Sequence, residues 1–262
     1  MNPRGSNHGV RWSGIALVAF IIALWFVLTP DVVPELRFPS PEATLQSIRS
    51  LRSALLVNAI ATLGRVALGW ASGCLAGAMI GMLMSRSRIF QQSLTPLLEV
   101  ARPLPPVALV PFFILWFGVG ASGQVLLIAL SCFMVLAVTT YSAARAVPPI
   151  YIQTAASLGA SPNRIYRTIV FPAALPSIAA GCRVAAAIAF GVGVAAEFMG
   201  AQSGLGYMMM VARRTLNTDT ILVGLLVLGL ESFAFDLLVQ RVASHVTRWM
   251  DASVSETLDA LQ

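Results

Sequence analysis

The side chains that carry most enzyme chemistry are scarce in this sequence. The two histidines, His8 and His245, lie at opposite ends of the chain, which argues against a Ser-His-Asp hydrolase. All 17 residues of the Lys and Arg class are arginines. Without lysine, the chain can be neither a Schiff-base enzyme nor an ATPase with the usual phosphate-binding loop, since both need a lysine. A GC-rich genome would also produce this absence. We therefore predict that the chain is not an enzyme and that a separate partner hydrolyses any ATP it uses.

Metal and redox chemistry have equally little support. The three cysteines, Cys74, Cys132 and Cys182, all fall inside apolar stretches, and no pair has the spacing of a metal site or a disulfide. The sequence predicts no cofactor and no metal site.

Charged residues inside apolar stretches are the remaining candidates for function. They are Arg65, Glu99, Arg102, Arg183, Glu197, Glu231 and Asp236. A charge at the centre of a bilayer costs at least ~2.5 kcal/mol, so such residues pair with one another or face water. They either line a path for an anionic substrate or pair between helices and near headgroups. We favour pairing for Glu231 and Asp236, near a helix end, and leave both interpretations open for Glu99 and Arg102.

The composition indicates the elements that must position these residues. The chain has 262 residues, of which 57% are hydrophobic and only 11% are charged, and its mean hydropathy is +0.81. Soluble domains carry about 25% charged residues, so an all-α polytopic membrane protein is predicted. At roughly 20 apolar residues per membrane helix, about six spans fit. The predicted spans are Trp12–Leu28, Asn58–Met84, Leu94–Phe117, Gln124–Ala144, Leu175–Gly200 and Thr220–Val239.

The third predicted span is interrupted. Prolines at 103, 105, 106 and 111 remove backbone donors and kink helices. Such breaks survive in a membrane where protein or a wet cavity satisfies the freed carbonyls, so this stretch is predicted to line a cavity. The candidates for a translocation path are Glu99, Arg102, Pro103, Pro106 and Glu197. Glu197 has an alternative role, which is to fix the following Gly204-Leu205-Gly206 loop against the core.

Three parts are predicted along the chain. Residues 1–56 hold an anchor span and an outer amphipathic segment, residues 57–248 form the transmembrane core, and residues 249–262 form a tail. In the first part, Ser40-Pro41-Glu42 has the pattern of a helix start. The apolar residues that follow at helical spacing fit a helix on the membrane surface or an ordinary lead-in to the second span.

The arginines predict the orientation. They are spread along short loops with a modest excess on one side, as the positive-inside rule expects, rather than clustered for nucleic acid. An even number of spans with both termini in the cytoplasm fits this excess. The polar segment at residues 148–172 then faces the cytoplasm.

That polar segment is predicted to be two short helices joined by a tight turn. Pro148-Pro149 suits a helix start, and Gly159 suits the left-handed residue that ends one. Ser161-Pro162 restarts the helix as an N-cap followed by proline. Pro172 is predicted to close the second helix before the membrane.

The same segment also resembles a known family. It reads QTAASLGASPNRIYRTIVFP, with Gly159, Ile169 and Pro172 at fixed intervals. This resembles the EAA loop of membrane-spanning subunits in bacterial ABC importers, where Glu-Ala-Ala precedes a Gly, an Ile and a Leu-Pro pair. The stretch RPLPPVALVPFFILWFGVG is similar to the nitrate, sulfonate and taurine permeases. The similarity runs from about residue 58 to 248.

The resemblance implies a loop that docks into a cleft on an ATPase subunit. The residues it marks are Gln153, Thr154, Ala155, Leu158, Gly159, Ala160, Ile169 and Pro172. Gln153, Thr154 and Phe171 depart from the family's Glu, Ala and Leu. Gln153 keeps hydrogen bonding but lacks the charge for a salt bridge to an ATPase arginine. The apolar and glycine positions that decide the shape are kept.

The resemblance further implies a type I ABC importer transmembrane domain in the bacterial inner membrane. It implies a homodimer with the path at its two-fold axis, two cytoplasmic ATPase subunits and a periplasmic binding protein. The substrate implied is a small anionic solute of the sulfonate, nitrate or taurine kind.

Two other function classes have less support in the sequence. A secondary transporter driven by an ion gradient often has broken helices in both halves, whereas only the third span is broken here. An intramembrane enzyme would need a paired acid and base, or a nucleophile and histidine, inside the spans.

Overall fold

The computed structural model describes Phe20 and residues 39–248, and these residues are helical with short connections. The α-helices are α1 Pro41–Ser50, α2 Arg52–Arg86, α3 Arg88–Ala101, α4 Val110–Phe117, α5 Ala121–Arg145, α6 Pro149–Ser157, α7 Pro162–Ile165, α8 Phe171–Gly200, α9 Leu205–Arg214 and α10 Thr218–Val246. A 3₁₀ turn at Pro106–Leu109 precedes α4, and a π-turn at Tyr166–Val170 joins α7 to α8.

Four helical stretches among the described residues are long and apolar enough to cross a membrane. They are Arg52–Arg86, Ala121–Arg145, Pro162–Gly200 and Thr218–Val246. They correspond to the predicted second, fourth, fifth and sixth spans and extend beyond the predicted ends. The predicted first span lies outside the described residues except for Phe20. The all-α membrane fold is confirmed.

The third predicted span is bent, as its prolines indicated. Helix α3 and the segment Pro106–Phe117 meet at 89° across a break of four residues or fewer. Pro103 and Pro105 lie in the break and Pro106 follows it, so three of the four residues 103–106 have no backbone N–H to continue a straight helix. The first half is longer than predicted, because α3 begins at Arg88 rather than Leu94.

A stripe of glycines brings α2 and α5 into close contact. A Cβ atom added at Gly77 would lie 2.6 Å from the Phe133 carbonyl oxygen, and one at Gly81 would lie 2.6 Å from that of Ala137. Gly69 and Gly73 face α5 in the same way. The four-residue glycine spacing in the sequence therefore marks a helix–helix interface, as small residues do in lipid.

The core lies between α2, α5 and α8, with α10 packed on its outside. Leu127, Ile128 and Leu136 of α5 are fully buried. Trp70 of α2 packs edge-on against Phe235 of α10, with ring centroids 5.2 Å apart.

The amphipathic segment forms a separate helix. The Ser40 hydroxyl accepts a hydrogen bond from the Ala43 N–H at 3.2 Å, which confirms the predicted N-cap. Helix α1 ends at Ser50 and packs mainly against α10, so it does not run straight into α2. Its place at a membrane surface stays a prediction. The predicted boundary between residues 56 and 57 falls inside α2.

Candidate functional site

The polar segment folds as a compact unit that we call the knob, residues 148–172. Helix α6 ends in a turn in which the Gly159 N–H donates to the Ala156 carbonyl at 2.9 Å. The Ala160 N–H donates to the Ala155 carbonyl at 3.0 Å. Gly159 has φ +78°, in the left-handed region that suits glycine at a helix end. The predicted glycine turn is confirmed.

The second half of the knob begins as predicted and ends differently. The Ser161 hydroxyl accepts from the Arg164 N–H at 3.4 Å. Pro172 does not close the helix, because the helical path runs unbroken from Pro162 to Gly200. In the π-turn, the Phe171 N–H donates to the Tyr166 carbonyl five residues earlier. This shifted register accommodates Pro172, which lacks an N–H.

The knob is fixed to the transmembrane helices by packing and by hydrogen bonds. Ala144, Val147, Val170 and Ala174 form a buried apolar cluster beneath it. The Tyr166 hydroxyl bonds to the Met82 carbonyl and the Ser85 hydroxyl of α2, and Arg86 donates to the Asn163 side chain. The knob is therefore attached to α2 by these bonds and to α8 by the continuous helix.

The predicted docking residues divide into an exposed tip and a half-buried base. Leu158 is 83% exposed at the tip, where an apolar side chain of this size has no cover within the described residues. Gln153, Thr154 and Gly159 are also exposed. Ala155, Ala160, Ile169 and Pro172 are half-buried and support the turn and the second helix. The tip therefore presents an exposed apolar side chain, Leu158, beside the polar Gln153 and Thr154.

The bend in the third span borders two neighbouring cavities. The larger, about 390 Å³, is lined by Arg102, Pro106, Ser131 and Thr139 together with apolar side chains. The smaller, about 160 Å³, is lined by Glu99 and also by Arg102. Pro103 lies exposed in the break between α3 and the 3₁₀ turn. Four of the five path candidates thus lie at or beside this bend.

Glu197, the fifth candidate, lies in a different environment. Its side chain is 2% exposed and forms an ion pair with Arg65 at 2.8 Å. It also accepts from the Thr62 hydroxyl at 2.9 Å and from the Gly206 N–H at 2.8 Å. Glu197 therefore does not line the cavities at the bend.

Together these groups hold the start of α9. The Gly204 N–H donates to Asn58 at 2.7 Å, and the Leu205 N–H donates to Thr62 at 2.8 Å. The Gly206 N–H donates to Glu197, so side chains of α2 and α8 accept from three successive N–H groups at the start of α9. These N–H groups have no partner within their own helix and need acceptors elsewhere. Arg65 also donates to the Ser203 carbonyl at 2.8 Å.

Sequence reasoning missed Asn58 and Thr62 in this cluster. The signal was present, because Asn58, Thr62 and Arg65 lie four and three residues apart on one face of an otherwise apolar helix.

The remaining membrane charges are only partly paired. Arg183 of α8 donates twice to Asp236 of α10, at 2.8 Å for each bond, so the predicted pairing of Asp236 is present. Glu231 is half-buried and one of its carboxylate oxygens has no hydrogen-bond partner in the described part of the chain.

Comparison with known proteins decides the family. Residues 73–251 match the sequence profile of the family described as binding-protein-dependent transport system inner membrane component. The chain belongs to this family. The permease is 30% identical over 243 residues to the taurine transport system permease protein TauC of Escherichia coli, covering 90% of this chain and 88% of that one. It is 32% identical to the putative aliphatic sulfonates transport permease protein SsuC of Bacillus subtilis, covering 91% and 88%. The predicted family and branch are confirmed.

The fold of the permease has solved counterparts. It is similar to a chain of the MetNI methionine ABC transporter in an inward-facing conformation, with a TM-score of 0.61. The likeness covers 76% of this chain and 98% of that one at 18% identity, so it bears on the fold alone. The type I ABC importer architecture is confirmed.

Proposed function

We propose that this permease forms half of the translocation path of an ATP-driven importer for a small sulfonate-like anion. The single observation that carries the coupling role is the knob, whose exposed Leu158 lies on a turn fixed by Gly159. Few of its dihedral angles are soft, and its base is continuous with a membrane helix. When a partner displaces such a projection, the displacement reaches the membrane helix with which its base is continuous.

A cytoplasmic ATPase is the partner proposed for the knob. In this proposal a second copy of the permease completes the path at a two-fold axis, and a periplasmic binding protein delivers the substrate. Both termini lie in the cytoplasm of a bacterial cell, and the permease crosses the inner membrane several times. ATP binding and hydrolysis shift the dimer between two states because the ATPase binds the knobs differently in each.

The path itself is proposed at the bend of the third span. Arg102 contributes a cation to both cavities there, and Ser131 and Thr139 contribute hydroxyl groups to the larger one. A cation with hydroxyl groups suits an anionic solute, and the named substrates of TauC and SsuC support a sulfonate. Glu99 and Pro106 complete the proposed lining, whereas Glu197 is proposed to position the outer loop.

Gly159→Val tests the coupling role. A β-branched residue at φ +78° is strained by about 1–3 kcal/mol, and nothing within 4 Å hinders it otherwise. In proteoliposomes with the ATPase and the binding protein, we expect taurine-stimulated ATP hydrolysis and uptake to fall at least about tenfold. The spans are untouched, so membrane insertion is retained.

Gly118→Val is the matched control. Gly118 has φ +76° and likewise has nothing within 4 Å, but it lies at the turn before α5, away from the knob. Because its ψ is −180°, in a region essentially restricted to glycine, we expect this variant to be strained at least as much as Gly159→Val and still to keep stimulated hydrolysis. Equal losses in the two variants would mean that strain, rather than the shape of the knob, causes the defect.

A further inference from the structure

A cleft of about 710 Å³ lies between the knob and the ends of two membrane helices. Its arginine and amide lining comes from three elements, with Arg86 from the end of α2, Arg145 from the end of α5 and Gln153 from α6. Ser85 and Tyr166 add hydroxyl groups, and the remaining lining is apolar. The cleft is distinct from the cavities at the bend of the third span.

Within the described residues, no carboxylate lines this cleft to balance its charge. None of its lining residues is acidic, and residues 100–196 contain no Asp or Glu at all. Arg86 donates to the neutral Asn163 and lies over the Tyr166 ring, 5.8 Å from its centroid. Within the described residues, Arg145 has no ion pair or side-chain hydrogen bond. In the part of the chain that the structure describes, two guanidinium groups thus border one cleft without a carboxylate.

We infer that this cleft binds a tetrahedral oxyanion group, such as sulfate, a sulfonate or a phosphate. A planar guanidinium group donates two parallel hydrogen bonds to such oxygens, and the Gln153 amide supplies a further donor. The volume exceeds that of a small oxyanion, so the phosphate can also belong to a lipid headgroup whose chains follow the apolar lining. The shared chemistry is the anionic tetrahedral group.

An oxyanion in this position would contact groups of α2, α5 and α6 at once. It would thereby tie the first helix of the knob to the two membrane helices beneath it and reduce its motion. The consequence for ATPase coupling rests on the proposed function, whereas the binding site itself does not. Binding is therefore measured on the purified permease without any ATPase.

Calorimetric titration of the full-length permease in detergent with sodium sulfate tests the site, with chloride holding the ionic strength constant. We expect saturable binding that Arg145→Gln weakens at least about tenfold, because a hydrogen-bonded charge is lost. Gln153→Glu should weaken sulfate binding similarly, because the new carboxylate would pair with the arginines and compete with sulfate for them. This second variant keeps both arginines, so a folding defect at Arg145 cannot imitate the result.

Arg88→Gln is the control, because Arg88 is an exposed arginine two residues from Arg86 that does not line the cleft. It should bind sulfate as the unaltered permease does. An equal loss with Arg88→Gln would overturn the site in favour of general surface attraction.

A parallel arm uses nanodiscs of phosphatidylcholine with and without phosphatidylglycerol. If the natural occupant is a lipid phosphate, phosphatidylglycerol should abolish sulfate binding and remain with the purified permease, and Arg145→Gln should release it. If the occupant is a free oxyanion, sulfate binding should persist in both nanodiscs. Absence of both sulfate binding and Arg145-dependent lipid retention would overturn the proposal.

Discussion

At the scale of single residues, the buried pair of Arg65 and Glu197 joins α2 to α8 across 132 positions of sequence. Removing one partner leaves the other charge buried and uncompensated, which costs about 3–5 kcal/mol. We expect Glu197→Gln and Arg65→Gln each to lower the thermal unfolding temperature of the purified permease markedly. The double variant should be less destabilised than the sum of the two, because neither charge is then left unpaired. Additive losses would show that the two side chains act independently.

At the scale of elements, the glycine stripe decides how closely α2 and α5 pack. The Cβ atom of Gly77→Ala would lie 2.6 Å from the Phe133 carbonyl oxygen and 2.8 Å from the Leu136 Cβ, so the helices must separate. We expect a loss of about 1–3 kcal/mol in stability, as overpacking typically causes. Gly64→Ala in the same helix has nothing within 4 Å, so it should be neutral or slightly stabilising through helix propensity. Fluorescence-detected thermal unfolding in detergent compares the two, and equal stability would contradict the close packing.

At the scale of the whole molecule, we predict that the knob and the α9–α10 turn lie on opposite sides of the membrane. Ser161 in the knob and Thr215 after α9 are both exposed and are separated by the helical path Pro162–Gly200 and α9. In a variant without native cysteines, we expect Thr215→Cys to react with an impermeant maleimide in intact cells. Ser161→Cys should react only after the cells are permeabilised. Equal labelling of both positions in intact cells would overturn the orientation with cytoplasmic termini.

Local chemistry in the sequence determined the features that depend on neighbours along the chain. The apolar runs predicted the approximate positions of the four long membrane helices in the described residues, because a bilayer core accepts only long apolar segments. Gly159, Ser161 and the prolines near residue 103 marked a turn, a cap and a bend, since each residue type restricts its own backbone.

The tertiary structure alone decided which distant groups meet. Glu197 was one path candidate among five in the sequence, and only the packing of α2 on α8 places it on Arg65 and Thr62. The helix continues through Pro172 by way of a π-turn, and Tyr166 in that turn bonds to Met82 of α2. No local pattern indicated this turn. The cleft between Arg86, Arg145 and Gln153 joins three elements in the same way. Hydropathy and residue spacing report the environment of one segment, whereas the partner of a buried charge depends on how whole helices pack.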